Sequence, residues 1–301
     1  MTYEQKLTEL AARDKHMVVL TAENRAAIRG LPAVLGERFI DVGICEQTLI
    51  GTAAGLALRG RIPVAHALAA FVVMRAFEFI RTDVGIAELP VKLVGGLPGF
   101  LSEANGPTHQ AIEDVALMRS IPGMQVFCPA DEDELVQVLP AVIENPRPCY
   151  VRFNDSRAAV THAAPFEAGK AEVICEGSDV SILVYGFLLA EALQAAAILE
   201  RRRVSVRLIN LRTLRPLDEA AIIRAAEETS MLVTLEDHQI TGGLYSMVGE
   251  LFLKNDRRCS VLPIALNDKG FKPGLLRDAL EFEGFTGAQI ADRILGALSI
   301  H

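Results

Sequence analysis

Two predicted elements meet in Asp41-Val42-Gly43-Ile44-Cys45-Glu46-Gln47, and the interpretation of the whole chain starts from this stretch. The apolar run that ends at Val42 predicts a short strand. The residues from Glu46 to Leu58 predict a helix that is rich in small side chains and ends before Gly60. Because parallel sheets bind ligands where strands end, Glu46 is expected at the edge of a cleft.

Short apolar runs alternate with helix-like segments along all 301 residues. This alternation predicts the α/β class, with mostly parallel strands covered by helices on both faces. The pattern breaks between Asn154 and Gly177, and the chain length favours two domains. We therefore predict two domains, each a mostly parallel sheet flanked by helices, at residues 1–160 and 178–301, with a linker at 161–177.

The composition argues against several classes of protein. The net charge is −8, and the only basic run is Arg201–Arg203, so we expect no nucleic-acid partner. The N-terminus is polar, and no apolar run reaches the roughly 20 residues of a membrane span, so we expect a cytoplasmic protein without a membrane partner. Five dispersed cysteines without a CxxC pair indicate neither a disulfide framework nor a zinc site, and no metal ligands are predicted.

Four side chains near predicted strand or turn ends are candidates for chemistry. Glu46 has no cation near it in sequence, which suggests a carboxyl in an apolar cleft, although a helix-start acid that complements the helix dipole has the same pattern. Phe71, in a helix predicted over Ala69–Ala87, is either a stacking platform or a core residue. His109 follows a Gly-Pro-Thr turn and could equally be an ordinary loop histidine. Arg152 ends a strand, where it either binds an anion or forms a surface ion pair.

Several ordered motifs together resemble the transketolase family, and they extend over nearly the whole chain. In the first domain the matching segments are Arg38–Gln47 with Ala53–Ala57, Gly106–Asp114, Ile121–Met124 and Pro129–Asp131. In the second domain they are Leu211–Asp218, Glu236–His238 and Gly242–Leu244. The first group is similar to the pyrimidine-binding domain of transketolases, and the second is similar to their C-terminal domain.

A complete transketolase also carries an N-terminal domain with a Gly-Asp-Gly motif, which this sequence lacks. The resemblance therefore implies the C-terminal subunit of a split transketolase, which is inactive alone. The missing domain would lie on an N-terminal subunit that holds Mg²⁺ and the diphosphate of thiamine diphosphate. Two copies of each chain would form an α2β2 heterotetramer that transfers a two-carbon ketol unit from a ketose phosphate to an aldose phosphate.

The resemblance also implies roles for individual residues at the cofactor. Glu46 would be catalytic, because its carboxyl group would hydrogen-bond a ring nitrogen of the cofactor's aminopyrimidine and promote loss of a proton from the thiazolium carbon. Phe71 would stack on the pyrimidine. Leu68 and Met74 would line the same site, at positions where the family often has aromatic or polar side chains.

On the substrate side, His109 is the second expected catalytic residue, and it would hydrogen-bond the hydroxyl or carbonyl groups of the sugar. Asn105 stands where the family usually has Asp, so it would keep a hydrogen bond without the charge. Arg152 aligns with a position that binds the sugar phosphate in the family. Together with the divergent segment Leu97–Glu103, these departures suggest an unusual donor or acceptor sugar.

Other interpretations of the same motifs stay open. The β-type subunit of a 2-oxo acid dehydrogenase E1 enzyme shares these domains and the Glu-Gln pair, although the segment Gly106–Asp114 favours transketolase. Half of a deoxyxylulose-phosphate synthase is a further possibility. A non-catalytic regulatory paralogue is the alternative outside catalysis.

Overall fold

The computed structural model describes residues 1–268, 270 and 272–299. Its strands form two sheets. In chain order the strands are β1 (Met17–Thr21), β2 (Phe39–Asp41), β3 (Ile62–Leu68), β4 (Lys92–Gly96), β5 (Gln125–Phe127), β6 (Cys149–Arg152), β7 (Glu172–Cys175), β8 (Val180–Val184), β9 (Val206–Asn210), β10 (Thr213–Arg215), β11 (Met231–Gln239) and β12 (Val261–Leu266).

Helices cover both sheets. The α-helices are α1 (Tyr3–Arg13), α2 (Leu31–Leu35), α3 (Glu46–Leu58), α4 (Phe77–Phe79), α5 (Asp114–Ser120), α6 (Glu132–Glu144), α7 (Leu189–Arg201), α8 (Glu219–Glu228), α9 (Leu244–Lys254), α10 (Leu276–Glu283) and α11 (Gly287–Leu298). The side chain of Asp131 caps the N-terminus of α6, and Thr286 forms a capping box with Gln289 at the start of α11. Within the described part of the chain, none of these helices combines the length and the apolar character that crossing a bilayer requires.

The first sheet has the order β10-β5-β6-β4-β3-β1-β2, and the second has the order β12-β11-β8-β9-β7. Within both sheets the neighbouring strands are parallel, except for one antiparallel edge strand in each, β10 and β7. The predicted α/β class with two mostly parallel sheets is therefore confirmed. The strand ends that precede Glu46, Phe71 and the loop after β4 all belong to the first sheet.

Two edge strands depart from the domain boundaries predicted from composition. Strand β7 lies inside the segment 161–177 that was predicted as a linker, yet it pairs with β9 in the second sheet. Strand β10 comes from the second half of the chain but pairs with β5 in the first sheet. Arg215 explains this placement, because its Nη1 donates to the carbonyl oxygens of Arg119 and Ile121 at 2.6 and 2.8 Å. The two halves are thus interleaved.

The segment predicted as one helix over Ala69–Ala87 is irregular. Residues Phe71–Arg75 and Ile80–Gly85 form π-helical turns, with only the short α4 between them. A π-helical turn widens the backbone by one residue and rotates the side chains that follow it, and such turns are frequent at functional sites. The π-helical turn therefore sets the direction of the Arg75 side chain relative to that of Phe71.

Helix α3 presents two different faces. Leu49, Ile50 and Ala53 are fully buried against the first sheet. Gly51 and Gly55 lie on the opposite, exposed face, and a Cβ added at either would meet nothing within 4 Å. The small residues therefore leave one side of the helix open in this chain.

Candidate functional site

Glu46 is the first residue of α3, and a tight turn connects the end of β2 to this helix. Gly43 in this turn has φ +72°, a conformation that favours glycine, and Cys45 precedes the helix in a non-helical conformation. The side chain of Glu46 is only 2% exposed. A buried carboxylate needs a partner, and that partner comes from elsewhere in the chain.

Arg75 supplies the partner, and this residue was missed by the sequence analysis. Its Nη1 donates to Oε2 of Glu46 at 2.8 Å. Its guanidinium carbon lies 4.2 Å from the ring centroid of Phe71, which is a cation–π contact. Arg75 and Glu46 are 29 positions apart in the chain. The sequence therefore shows no cation near Glu46, although the fold places one beside it. The only available signal was the position of Arg75 four residues after Phe71.

His109 joins the same group through Phe71. The two rings meet edge to face, with centroids 4.9 Å apart and planes at 64°. Nδ1 of His109 and Oγ1 of Thr108 are 2.9 Å apart, which fixes the direction of the imidazole. The fold therefore links Glu46 and Phe71 through the guanidinium of Arg75, and it places His109 against the ring of Phe71.

Leu68 and Met74, which were also predicted at the cofactor, flank Phe71 in sequence, and Asn105 precedes His109 in the loop after β4. Leu68 is half-buried at the end of β3, and Met74 is partly exposed, next to Arg75 in the π-helical turn. The exposed Asn105 turns its amide into its own loop, where Nδ2 donates to the carbonyl oxygen of Ser102 at 3.1 Å. This loop follows Leu97 and Glu103, both of which have positive φ. Positive φ at such residues indicates stored backbone strain, which is common at functional sites.

Arg152 is placed differently from the expectation. It is 2% exposed and lies in the interior between the two sheets, so it forms neither a surface ion pair nor an open anion site. Its Nε donates to Asp114 at 2.8 Å, and its two terminal nitrogens donate to Asp237 at 2.7 and 3.2 Å. Burial lowers the pKa of a guanidinium, but the two carboxylates outweigh it and raise the pKa of Arg152 above its usual value. These three hydrogen bonds to Asp114 and Asp237 already neutralise the positive charge of Arg152.

A second buried network surrounds His162, a residue that the sequence analysis did not assign to any site. Its ring nitrogens lie 2.7 Å from Glu172 and 2.8 Å from Asp131. Burial opposes the charged ring, but these two hydrogen bonds raise the pKa of His162 to about 10. Glu134 is adjacent and receives a hydrogen bond from Arg212 at 2.6 Å.

This network also brings three potential metal ligands together. One atom each of Glu134, His162 and Glu172 lie within 4.8 Å of one another. Both nitrogens of the imidazole face carboxylates, however, and the guanidinium of Arg212 already neutralises Glu134. A protonated histidine between carboxylates accounts for the geometry, so we assign an ion-pair network and no metal ligation here.

Comparison with protein families accounts for both halves of the chain. Residues 1–159 match the family model for the transketolase pyrimidine binding domain. Residues 169–290 match the model for the transketolase C-terminal domain. The order of the two matches is the same as the order of the motifs in the sequence.

Three individual proteins illustrate these similarities. A 6-deoxy-6-sulfo-D-fructose transketolase subunit from a Clostridium species is 39% identical over 259 residues, which are 84% of this chain and 80% of that protein. A solved structure described as a split gene transketolase, inactive β4 tetramer, is 34% identical with a TM-score of 0.89, covering 99% of this chain and 97% of that chain. The 1-deoxy-D-xylulose-5-phosphate synthase of Dictyoglomus thermophilum is 34% identical over 304 residues, which are 98% of this chain but 48% of the synthase.

Proposed function

The chain belongs to the transketolase family, and from that premise we propose that it is the C-terminal subunit of a two-chain, thiamine-diphosphate-dependent transketolase. The observation that carries this proposal is that the flat, nitrogen-rich guanidinium of Arg75 contacts both Glu46 and Phe71, while His109 packs against Phe71. The reaction is the transfer of a two-carbon ketol unit from a ketose to an aldose. Two relatives of similar length, one called a subunit and one called a split gene transketolase, support the two-chain assembly.

The residues present fit the pyrimidine end of the cofactor. A guanidinium and an aminopyrimidine are both planar, and both present N–H groups in the plane of the ring or fork. The guanidinium of Arg75 hydrogen-bonds the buried carboxylate of Glu46 and stacks on the ring of Phe71. The site therefore accepts a planar group that carries N–H donors. When bound, thiamine diphosphate supplies the carbon nucleophile that accepts and passes on the ketol unit.

Each side chain then has a defined task. Glu46 hydrogen-bonds the ring nitrogen and holds a proton there, in a position that is shielded from water. Phe71 would offer its ring face to the pyrimidine. His109 uses Nε2 toward a substrate hydroxyl or carbonyl, because Nδ1 already faces Thr108. Mg²⁺ and the diphosphate are held by the partner subunit in an α2β2 assembly.

The substrate is a ketose whose charged end, if it has one, is held by groups other than Arg152. The guanidinium of that residue is buried and paired with two carboxylates of this chain. The expected phosphate contact is therefore not part of the proposal. We propose that the donor or acceptor differs from an ordinary pentose phosphate, as the departures at Leu68, Met74 and Asn105 suggested.

A second candidate reaction has specific support. The similarity to 1-deoxy-D-xylulose-5-phosphate synthase extends over 98% of this chain, although the chain spans about half the length of that enzyme. In this alternative the two-carbon unit derives from a 2-oxo acid such as pyruvate, with loss of CO₂. The β-type subunit of a 2-oxo acid dehydrogenase predicts the same donor, so a 2-oxo acid assay tests both.

The deciding experiment reconstitutes the chain with a candidate partner that carries the Gly-Asp-Gly motif, in the presence of thiamine diphosphate and Mg²⁺. Ketose phosphates, 6-deoxy-6-sulfo-D-fructose and pyruvate are offered as donors, with an aldose phosphate as acceptor. We expect ketol transfer from a ketose by the pair and none by either chain alone. Release of CO₂ from pyruvate without ketose turnover would support the alternative, and full activity on ordinary pentose phosphates would refute the altered specificity.

A further inference from the structure

We propose that Arg75 is a built-in plug of the cofactor site, which closes this site in the free subunit and has to leave before the aminopyrimidine can enter. The inference rests on the proposed function and concerns how the same site is regulated. In the one-chain structure the guanidinium makes the two contacts that the pyrimidine would need, one to Glu46 and one to Phe71. Arg75 and the cofactor are therefore alternative occupants of one site.

The distances make the two occupants mutually exclusive. The guanidinium carbon lies 4.2 Å from the centroid of Phe71, which is the separation of stacked groups, so no second flat group fits on that face. Oε2 of Glu46 is 2.8 Å from Nη1 of Arg75, and this oxygen is then engaged. A ring nitrogen that approached the carboxylate from this side would meet the arginine.

The free subunit has a physical reason to hold Arg75 there. Glu46 is nearly fully buried, and an ionised carboxylate without a partner is costly in such a place. The ion pair satisfies it for as long as no cofactor is bound. Arg75 therefore stabilises the free chain through the same contact that blocks the site.

The plug is held loosely enough to open. The side chain of Arg75 is 43% exposed, so the guanidinium has a route into solvent. Its backbone is held separately, because Nε2 of Gln47 donates to the carbonyl oxygen of Arg75 at 3.3 Å. The side chain can swing out while the π-helical turn and Phe71 stay in place.

If Arg75 has to move out before the cofactor binds, it affects the association rate of the cofactor. An arginine that contacts the bound cofactor affects the dissociation rate instead. If only the open fraction of the protein binds, closure slows association and leaves dissociation unchanged. An arginine that instead contacts the bound cofactor would slow dissociation. Removal of Arg75 therefore increases the association rate if it is a plug, and increases the dissociation rate if it is a contact.

The test measures thiamine diphosphate binding to the reconstituted two-chain complex, with Mg²⁺ present, by titration calorimetry and stopped-flow circular dichroism. The variants are Arg75→Ala and Arg75→Gln, of which the second keeps the length of the side chain and loses its charge. Arg257→Ala is the matched control, because Arg257 forms an ion pair with Glu227 at 2.7 Å in the second domain and is 50% exposed. Thermal melting of the free chains checks that each variant folds.

We expect both Arg75 variants to bind the cofactor roughly three- to tenfold more tightly through faster association, while the control binds as the wild type does. The free Arg75 variants should melt at a lower temperature, since they lose the partner of Glu46. The inference is overturned if the wild-type complex binds and the variants bind equally or more weakly. If neither the wild-type nor the variant complexes bind the cofactor, the proposed function fails, and the inference fails with it.

Discussion

Replacing Arg152 by Met separates a structural role from a substrate-binding role at this position. The guanidinium makes three hydrogen bonds of 2.7 to 3.2 Å, one to Asp114 and two to Asp237, and all three side chains are almost fully buried. Asp114 comes from the first domain and Asp237 from strand β11 of the second. Removing the cation leaves two carboxylates buried without it, and among the described residues the Tyr150 hydroxyl is the side-chain donor that Asp114 keeps.

The expected loss of unfolding free energy is about 3–5 kcal/mol, the usual cost of removing one partner of a buried ion pair. This is a large part of the roughly 5–15 kcal/mol that stabilises a typical domain. Arg152→Lys should cost less, because it keeps the charge but cannot bridge both carboxylates with a planar fork. Adding Asp237→Asn to Arg152→Met should recover part of the loss, since one of the stranded charges is removed.

The measurement is urea unfolding followed by circular dichroism, because the chain has no tryptophan. Arg257→Ala again serves as the control, since both members of the Arg257–Glu227 pair are half exposed. That control should change the unfolding free energy by about 1 kcal/mol or less. In the reconstituted enzyme, Arg152→Lys should leave the KM for the sugar substrate within about twofold of the wild-type value, as expected for a group without substrate contact.

Two results would refute this reasoning. An unfolding free energy of Arg152→Met within about 1 kcal/mol of the wild type would mean that the buried pair contributes little. A tenfold rise in the sugar KM of Arg152→Lys, with stability intact and with a charged sugar as substrate, would restore the phosphate-binding role that the family resemblance implied.

Three further predictions concern the site and the second buried network. Glu46→Gln in the reconstituted complex should lower kcat by at least about a hundredfold, because it removes the group that holds the proton at the ring nitrogen; unchanged turnover would remove Glu46 from the mechanism. Phe71→Ala should weaken cofactor binding more than Phe71→Leu does, as measured by calorimetry, and equal losses would argue against ring stacking. The pKa of His162 is raised from 6.5 to about 10 in the folded chain, so its contribution to stability is complete below pH 6.5 and is lost as the pH rises to about 10. His162→Gln should flatten that part of a stability–pH profile, and a profile as steep as that of the wild type would contradict the assignment.

Much of the fold was predictable because each element has a local signal. Apolar runs of strand length, small residues in α3 and the caps Asp131 and Thr286 all act within a few residues of the chain. The irregular turns between Ala69 and Ala87 could not be predicted, because a π-helical turn differs from an α-helix by one inserted residue and not by a characteristic residue type. The edge strand β10 could not be predicted either, because its partner β5 is more than 80 residues away.

The site was predictable where a motif carried it. Glu46 and His109 belong to recognised motifs, and the structure brings both to Phe71 or to its arginine partner. The ion pairs that surround them join residues far apart in sequence, such as Arg75 with Glu46 and Arg152 with Asp237. A single sequence shows the charges but not which ones meet. It therefore left Arg152 open between an anion site and a surface ion pair, and it gave Arg75 no role.

The contacts of strand β11 indicate what the second domain does for the site. The backbone N–H of Gln239 donates to the carbonyl oxygen of Ile112 at 2.9 Å, and the Ala116 N–H donates to Nε2 of His238 at 3.3 Å. Asp237 lies so close to Gly99 that an added Cβ would overlap its carboxylate. These three contacts fix both ends of the segment that carries His109, which is otherwise an irregular loop with strained backbone. We therefore expect the second domain to support the proposed site without supplying a catalytic group, because its contacts hold the loop that carries His109.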